Sequence, residues 1–112
     1  MYYKLENLPF YHDLTDVPSA EVMVLSAPLV NGSCFIILVR HSPQIYINLD
    51  LKDNSQDVVL QIGDAKINLG TQKRLNKMYR LPVSSETFVT MVYKEEVSMR
   101  VGNDTTPLKI LK

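Results

Sequence analysis

Residues 44–52 alternate in character almost without a break. Ile45, Ile47, Leu49 and Leu51 occupy one parity, and Tyr46, Asn48, Asp50 and Lys52 occupy the other. Successive side chains of an extended chain point to opposite faces, so this stretch predicts a β-strand with an apolar inner face and a polar outer one. A helix would scatter the same residues around its circumference. The rest of the chain is cut to a similar length. Glu21-Val-Met-Val-Leu25 is a compact β-leaning run, and Cys34-Phe-Ile-Ile-Leu-Val39 is a continuous apolar run that reads as a buried strand. Residues 58–62 and 65–69 flank Gly63-Asp64, the kind of two-residue connection that closes a tight hairpin. Residues 87–93 and 97–101 flank Lys94-Glu95-Glu96 and read as a second hairpin, and residues 107–111 as a short final strand. Pro28, Asn31-Gly32, Ser42-Pro43 and Gly102-Asn103-Asp104 supply turn chemistry between runs, as do residues 53–56 and 84–86. The polar stretch 71–77 has no clear period and reads as a long loop or a frayed strand. Strand signals recur at roughly 8–12 residues, and no window of about 12 residues carries a helical pattern. The expected fold class is therefore all-β: an antiparallel β-sandwich or barrel of seven to nine short strands.

A chain of 112 residues is expected to form one domain, residues 1–112. With 46% hydrophobic residues it can bury a core without a metal or disulfide to brace it. Residues 1–10 carry Tyr2, Tyr3, Leu5, Leu8 and Phe10, apolar enough either to pack on the sandwich or to serve as an N-terminal arm. The single cysteine, Cys34, excludes an intramolecular disulfide and any multi-cysteine metal site. Twelve basic residues balance twelve acidic ones, so charge gives no case for nucleic acid or an anionic membrane. There is no leader-like start and no apolar run of membrane-spanning length, which sets the expected location as cytoplasmic or nuclear, with secretion by a non-classical route as the alternative.

A search for catalytic chemistry finds little. His12 stands near Asp13 and Asp16, and His41 lies in another predicted loop; no third ligand is placed by spacing, so both read as solvated histidines. Asp50, Asp53, Asp57 and Asp64 lack the ligand spacing of a calcium loop and read as turn carboxylates. Cys34 opens an apolar run and reads as a buried structural thiol rather than a nucleophile. No Gly-rich phosphate loop or nucleophile elbow is present. Lys66, Lys73, Arg74, Lys77 and Arg80 form a local basic segment around Tyr79, read as a solvated edge strand whose cations discourage edge-to-edge pairing. The expectation is a protein that is not an enzyme and that uses no cofactor or metal.

The order of segments from Tyr11 to Asp104 resembles a galectin-type carbohydrate-recognition domain. Phe35-Ile-Ile-Leu-Val39 is similar to that family's F-x-I-N-L strand. Arg80-Leu-Pro-Val-Ser-Ser-Glu-Thr-Phe88 is similar to its F-P-F-x-x-G-x-P-F segment, and Val97-Ser-Met-Arg-Val-Gly-Asn103 to its F-x-V-x-V-N-G strand and turn. The resemblance implies a galectin-like, jelly-roll sandwich. It places Asn48, Asp50 and Lys52 at the positions of the sugar-binding H-x-N-x-R strand and Gln61 near a further binding asparagine. Leu69-Gly70-Thr71-Gln72 then takes the place of W-G-x-E, without its stacking tryptophan. Phe35 to Asp50, Val58-Val-Leu-Gln-Ile-Gly63 with Asn68 and Arg74, and Val97 to Gly102 with Pro107 also resemble the farnesoic acid O-methyltransferase-like domain. Its name implies an enzyme acting on a terpenoid acid, yet no S-adenosylmethionine loop follows any strand.

Together these readings point to a non-catalytic galectin-like binding module. Its ligand face is expected to comprise Tyr46, Asn48, Asp50, Lys52, Gln61 and Gln72, with Tyr46 or Tyr79 for stacking. The expected partner is another protein or a second copy of the chain, and the alternative is a lectin of altered carbohydrate specificity.

Overall fold

The computed structural model describes residues 2–4, 21–52, 56–71 and 73–111. Ten strands and one helix are formed among them. In chain order they are β1 (Tyr3–Lys4), β2 (Glu21–Ala27), β3 (Gly32–Val39), β4 (Gln44–Leu51), β5 (Asp57–Ile62), β6 (Ala65–Thr71) and β7 (Arg74–Arg80), then α1 (Ser85–Tyr93), β8 (Val97–Val101), β9 (Asp104–Pro107) and β10 (Lys109–Ile110). Eight of the strands have four residues or more, within the expected number.

All pairings are antiparallel. One sheet runs β1-β2-β3-β4-β7, with β10 also paired to β2, and the other runs β6-β5-β8-β9. The chain changes sheets four times, from β4 to β5, from edge strand β6 to edge strand β7, from β7 through α1 to β8, and from edge strand β9 to β10. The fold class expected from the alternation, an all-β antiparallel sandwich, is the observed one.

The core follows from the period-two pattern. Met23, Leu25 and Ala27 of β2, Cys34, Ile36 and Leu38 of β3, and Ile45, Ile47, Leu49 and Leu51 of β4 turn inward. They meet Val58, Leu60 and Ile62 of β5 and Val97, Met99 and Val101 of β8. Each inward aliphatic side chain contributes roughly 1.5–3 kcal/mol by leaving water. Gly32, where β3 begins, is required by packing: a Cβ there would run into the backbone of Asp50 and Leu51 on β4.

The second hairpin is not formed. Residues 85–93 are helical, and Phe88 and Val92 are buried on the sandwich core. Positions 88 and 92 share a face in a strand and in a helix alike, and the β-branched residues between them favoured the strand reading. The start of the helix decides the matter. Ser84 is extended (φ −67°, ψ 159°) and its Oγ accepts the Thr87 backbone N–H at 3.1 Å, which satisfies one of the free amides of the first turn. At the other end the Glu95 N–H donates to Val92 O and the Glu96 N–H to Met91 O, closing the helix with Glu95 at φ 60°. This is a Schellman closure with glutamate where glycine is usual. So Lys94-Glu95-Glu96 ends a helix instead of turning a hairpin.

Three smaller differences concern boundaries. The aperiodic stretch 71–77 contributes to β7, a full edge strand held by β4. The single final strand divides into β9 and β10, on different sheets. The Gly63-Asp64 hairpin forms as read, with Gly63 at φ 58°. Most of the proposed N-terminal arm, residues 1 and 5–10, lies outside the described residues, as do His12 and Gln72.

Candidate functional site

Antiparallel register sorts the outer face of the larger sheet into rows. Val24, Ile37, Tyr46 and Met78 lie directly across β2, β3, β4 and β7 from one another. The next row reads Ser26, Phe35, Asn48 and Asn76, and the one after it Ser33, Asp50 and Arg74. The face therefore changes from apolar to polar within two residues along each strand. Val22, Val24, Ile37 and Tyr46 are all buried, although none belongs to the core between the sheets. The polar rows are open.

Phe35 stands at the centre of the open part with 37% of its surface exposed. Directly across from it on β4 is Asn48, and beyond that Asn76 on β7. Neither side-chain amide is hydrogen-bonded within the described residues, so both keep their donors and acceptors for a ligand. In the adjacent row Arg74 Nε approaches Asp50 Oδ1 at 3.6 Å. Both groups are largely solvated, so the pair adds at most about 1 kcal/mol to stability and can reorganise around a bound group. Beyond it a cavity of about 320 Å³ is lined by Leu29, Val30, Ser33, Asp50 and Lys52. The Lys52 backbone N–H is fixed by Asn31 O at 2.8 Å, and Val30 is 84% exposed at the rim. Strand spacing makes the three-strand patch about 10 Å wide, and two rows span about 7 Å along the strands.

The structure thus brings together three of the six expected residues: Asn48, Asp50 and Lys52. Tyr46 lies on the same face but is only 6% exposed, which removes it as a stacking platform. Tyr79 has the opposite parity on β7, packs against the core and lies beneath the Lys77 ammonium, 5.6 Å from its ring centre. Burial pushes its hydroxyl above the usual tyrosine range. Gln61 is on β5 of the other sheet, facing away from the core, and its amide donates to the Gly63 carbonyl. It cannot share a ligand with Asn48. Gln72 lies outside the described residues.

Phe35, Asn76 and Arg74 complete the patch without having been singled out for it. Phe35 sits within a continuous apolar run, where the phase of alternation is invisible in the sequence. Arg74 enters the sequence reading as one charge of a basic edge and as part of a family resemblance, not as a ligand-binding group. That edge is real: β7 borders the larger sheet and carries Arg74, Lys77 and Arg80. No group of three His, Cys, Asp or Glu side chains able to hold a metal occurs among the described residues. No helix among them is long and apolar enough to cross a membrane. Cys34 is buried, which pushes its thiol up to about 12 and leaves it without thiolate character near neutral pH.

No family model, curated protein or solved structure matches this chain.

Proposed function

We propose that this protein is a non-catalytic binding module that engages a protein partner, or a second copy of itself, through the open end of the larger sheet's outer face. The observation that supports this most is the placement of Phe35. A half-exposed aromatic ring lies beside two amides with no hydrogen-bond partner among the described residues and one solvent-exposed ion pair. An aromatic anchor surrounded by adaptable polar groups is the arrangement that recurs at interface centres. The exposed Val30 and the Ser33–Asp50–Lys52 cavity extend the same surface.

A second reading, a lectin of non-galactoside specificity, is favoured by the same ring. The apolar face of a sugar can lie on Phe35 while Asn48, Asn76 and Asp50 bond its hydroxyls. This departs from the galectin arrangement, because the aromatic group comes from β3 rather than from a tryptophan at the position of Leu69 on β6.

Sedimentation equilibrium over a wide concentration range, run beside a glycan array, tests both. Self-association that Phe35→Ala weakens, with a blank array, supports the interaction module. Glycan binding lost in the Asn48→Ala/Asn76→Ala variant moves the assignment to a lectin. Association unaffected by all three substitutions removes this face as the site; a monomer with a blank array removes self-association and the lectin reading and leaves a different protein as the partner.

A further inference from the structure

A second surface, on the side of the sandwich where β6 passes to β7, has different chemistry. These two edge strands follow one another in the chain but pair only with their own sheets, β6 with β5 and β7 with β4. Around the start of β6 and the end of β7 there is a cavity of about 650 Å³. Lys66 and Arg80 stand on its rim, and Ile67, Leu81, Val83 and Ser84 line it. Pro43 and Pro82 stiffen the wall.

Three features make this a candidate ligand site. First, among the described residues the two cations have no ion-pair partner and no acidic side chain lines the cavity. Two unneutralised charges of one sign beside a concave wall form a preferred place for an anion. Secondly, the floor is apolar and continuous with the core: Leu81 is buried, and Ile67 and Val83 pack against the core cluster. Thirdly, the volume falls in the range of small-molecule sites, about 300–1,000 Å³. The guanidinium of Arg80 offers a planar pair of donors suited to a carboxylate, and Lys66 adds a mobile point charge.

From this combination we infer that the β6–β7 cleft binds a small amphiphilic carboxylate. Its head group sits between Lys66 and Arg80, and its hydrocarbon body lies on Ile67, Leu81 and Val83. A bare phosphate would leave the apolar floor unused, and a neutral hydrocarbon would leave the two cations unpaired. The surface is separate from the Phe35 patch, so this inference stands or falls independently of the proposed interaction face.

The test is a titration of the whole chain with octanoate, followed by amide and methyl NMR, in parallel with octanamide and inorganic phosphate. The expected result is saturable shifts at Ile67, Leu81, Val83 and Ser84. Affinity should fall at least about tenfold for octanamide and for Lys66→Gln/Arg80→Gln, the effect of losing a charge-assisted contact. Both side chains are exposed, so the variant should keep the native spectrum elsewhere. Shifts centred elsewhere, equal binding of octanamide, phosphate binding as tight as octanoate, retention of affinity in the double variant, or no saturable shift would each overturn the assignment.

Discussion

Replacing Phe88 by alanine tests the least expected element of the fold. Phe88 is 0% exposed and, with Val92 one turn on, forms the face by which α1 closes on the sandwich core. Truncating a buried phenylalanine costs about 3–5 kcal/mol, the transfer of the ring plus the cavity left behind. A domain of this size has about 5–15 kcal/mol in total, so the variant stays measurable but loses a large share. With a urea dependence of about 2 kcal/mol per molar, a loss of about 4 kcal/mol lowers the midpoint by about 2 M. Tyr93→Ala is the internal control: it lies on the same helix, is 67% exposed, and gains the same helix propensity on becoming alanine. Its midpoint should move by no more than about 0.3 M. Denaturation followed by circular dichroism measures both. If Phe88→Ala shifts the midpoint no further than Tyr93→Ala does, the helix is not docked on the core and the reasoning fails.

Other outcomes follow from the same geometry. Ser84→Ala removes the cap of α1 and should cost about 1 kcal/mol, read as a urea midpoint; a residue in a plain turn would show no such loss. Gly32→Ala should cost about 2 kcal/mol, because its Cβ meets backbone atoms of β4 that can move only by disturbing the strand; thermal denaturation measures it. Cys34 should resist a thiol reagent in native buffer and react in step with unfolding as urea is added; fast labelling of the folded protein would contradict its burial. Glu86 is held below its usual range by its own backbone N–H and by His41, and Glu95 by Lys109, so both favour the folded state above the ordinary glutamate value. That contribution is lost as pH falls through the lower folded values. The urea midpoint should therefore decline as pH falls below the ordinary glutamate value, less steeply in Glu86→Gln/Glu95→Gln.

The sandwich was legible because most of its strands announce themselves locally. The alternation of residues 44–52 fixes which side of β4 faces the core, and Gly63-Asp64 fixes the β5–β6 hairpin. Residues 87–93 were misread because Phe88 and Val92 satisfy two periods, while Val89, Thr90 and Val92 favour extended chain. The signal that could have found the helix is Ser84 followed by Glu86, a cap and an acidic first turn. Asn48 and Asp50 were placed on the correct face by parity alone. Tyr46 shares that parity yet is buried, and parity does not report what packs above a face. Phe35 and Asn76 join the site through register between strands distant in sequence, which no local pattern contains.

The strand β2 has one further property. Its edge away from β3 is covered in tandem by β1 and β10, two-residue strands from opposite ends of the described chain. Each cover is only two residues long and is held by few backbone hydrogen bonds, so both belong to the part of the molecule that opens first. When they open, Glu21-Val-Met-Val-Leu-Ser-Ala27 becomes a bare edge with one charge in seven residues, well matched to pairing with its own kind. The weak point for aggregation is thus the start of the larger sheet. A crowded or partly denatured sample should assemble by donating and accepting strands there, while the lysine- and arginine-rich β7 edge stays out of the contact.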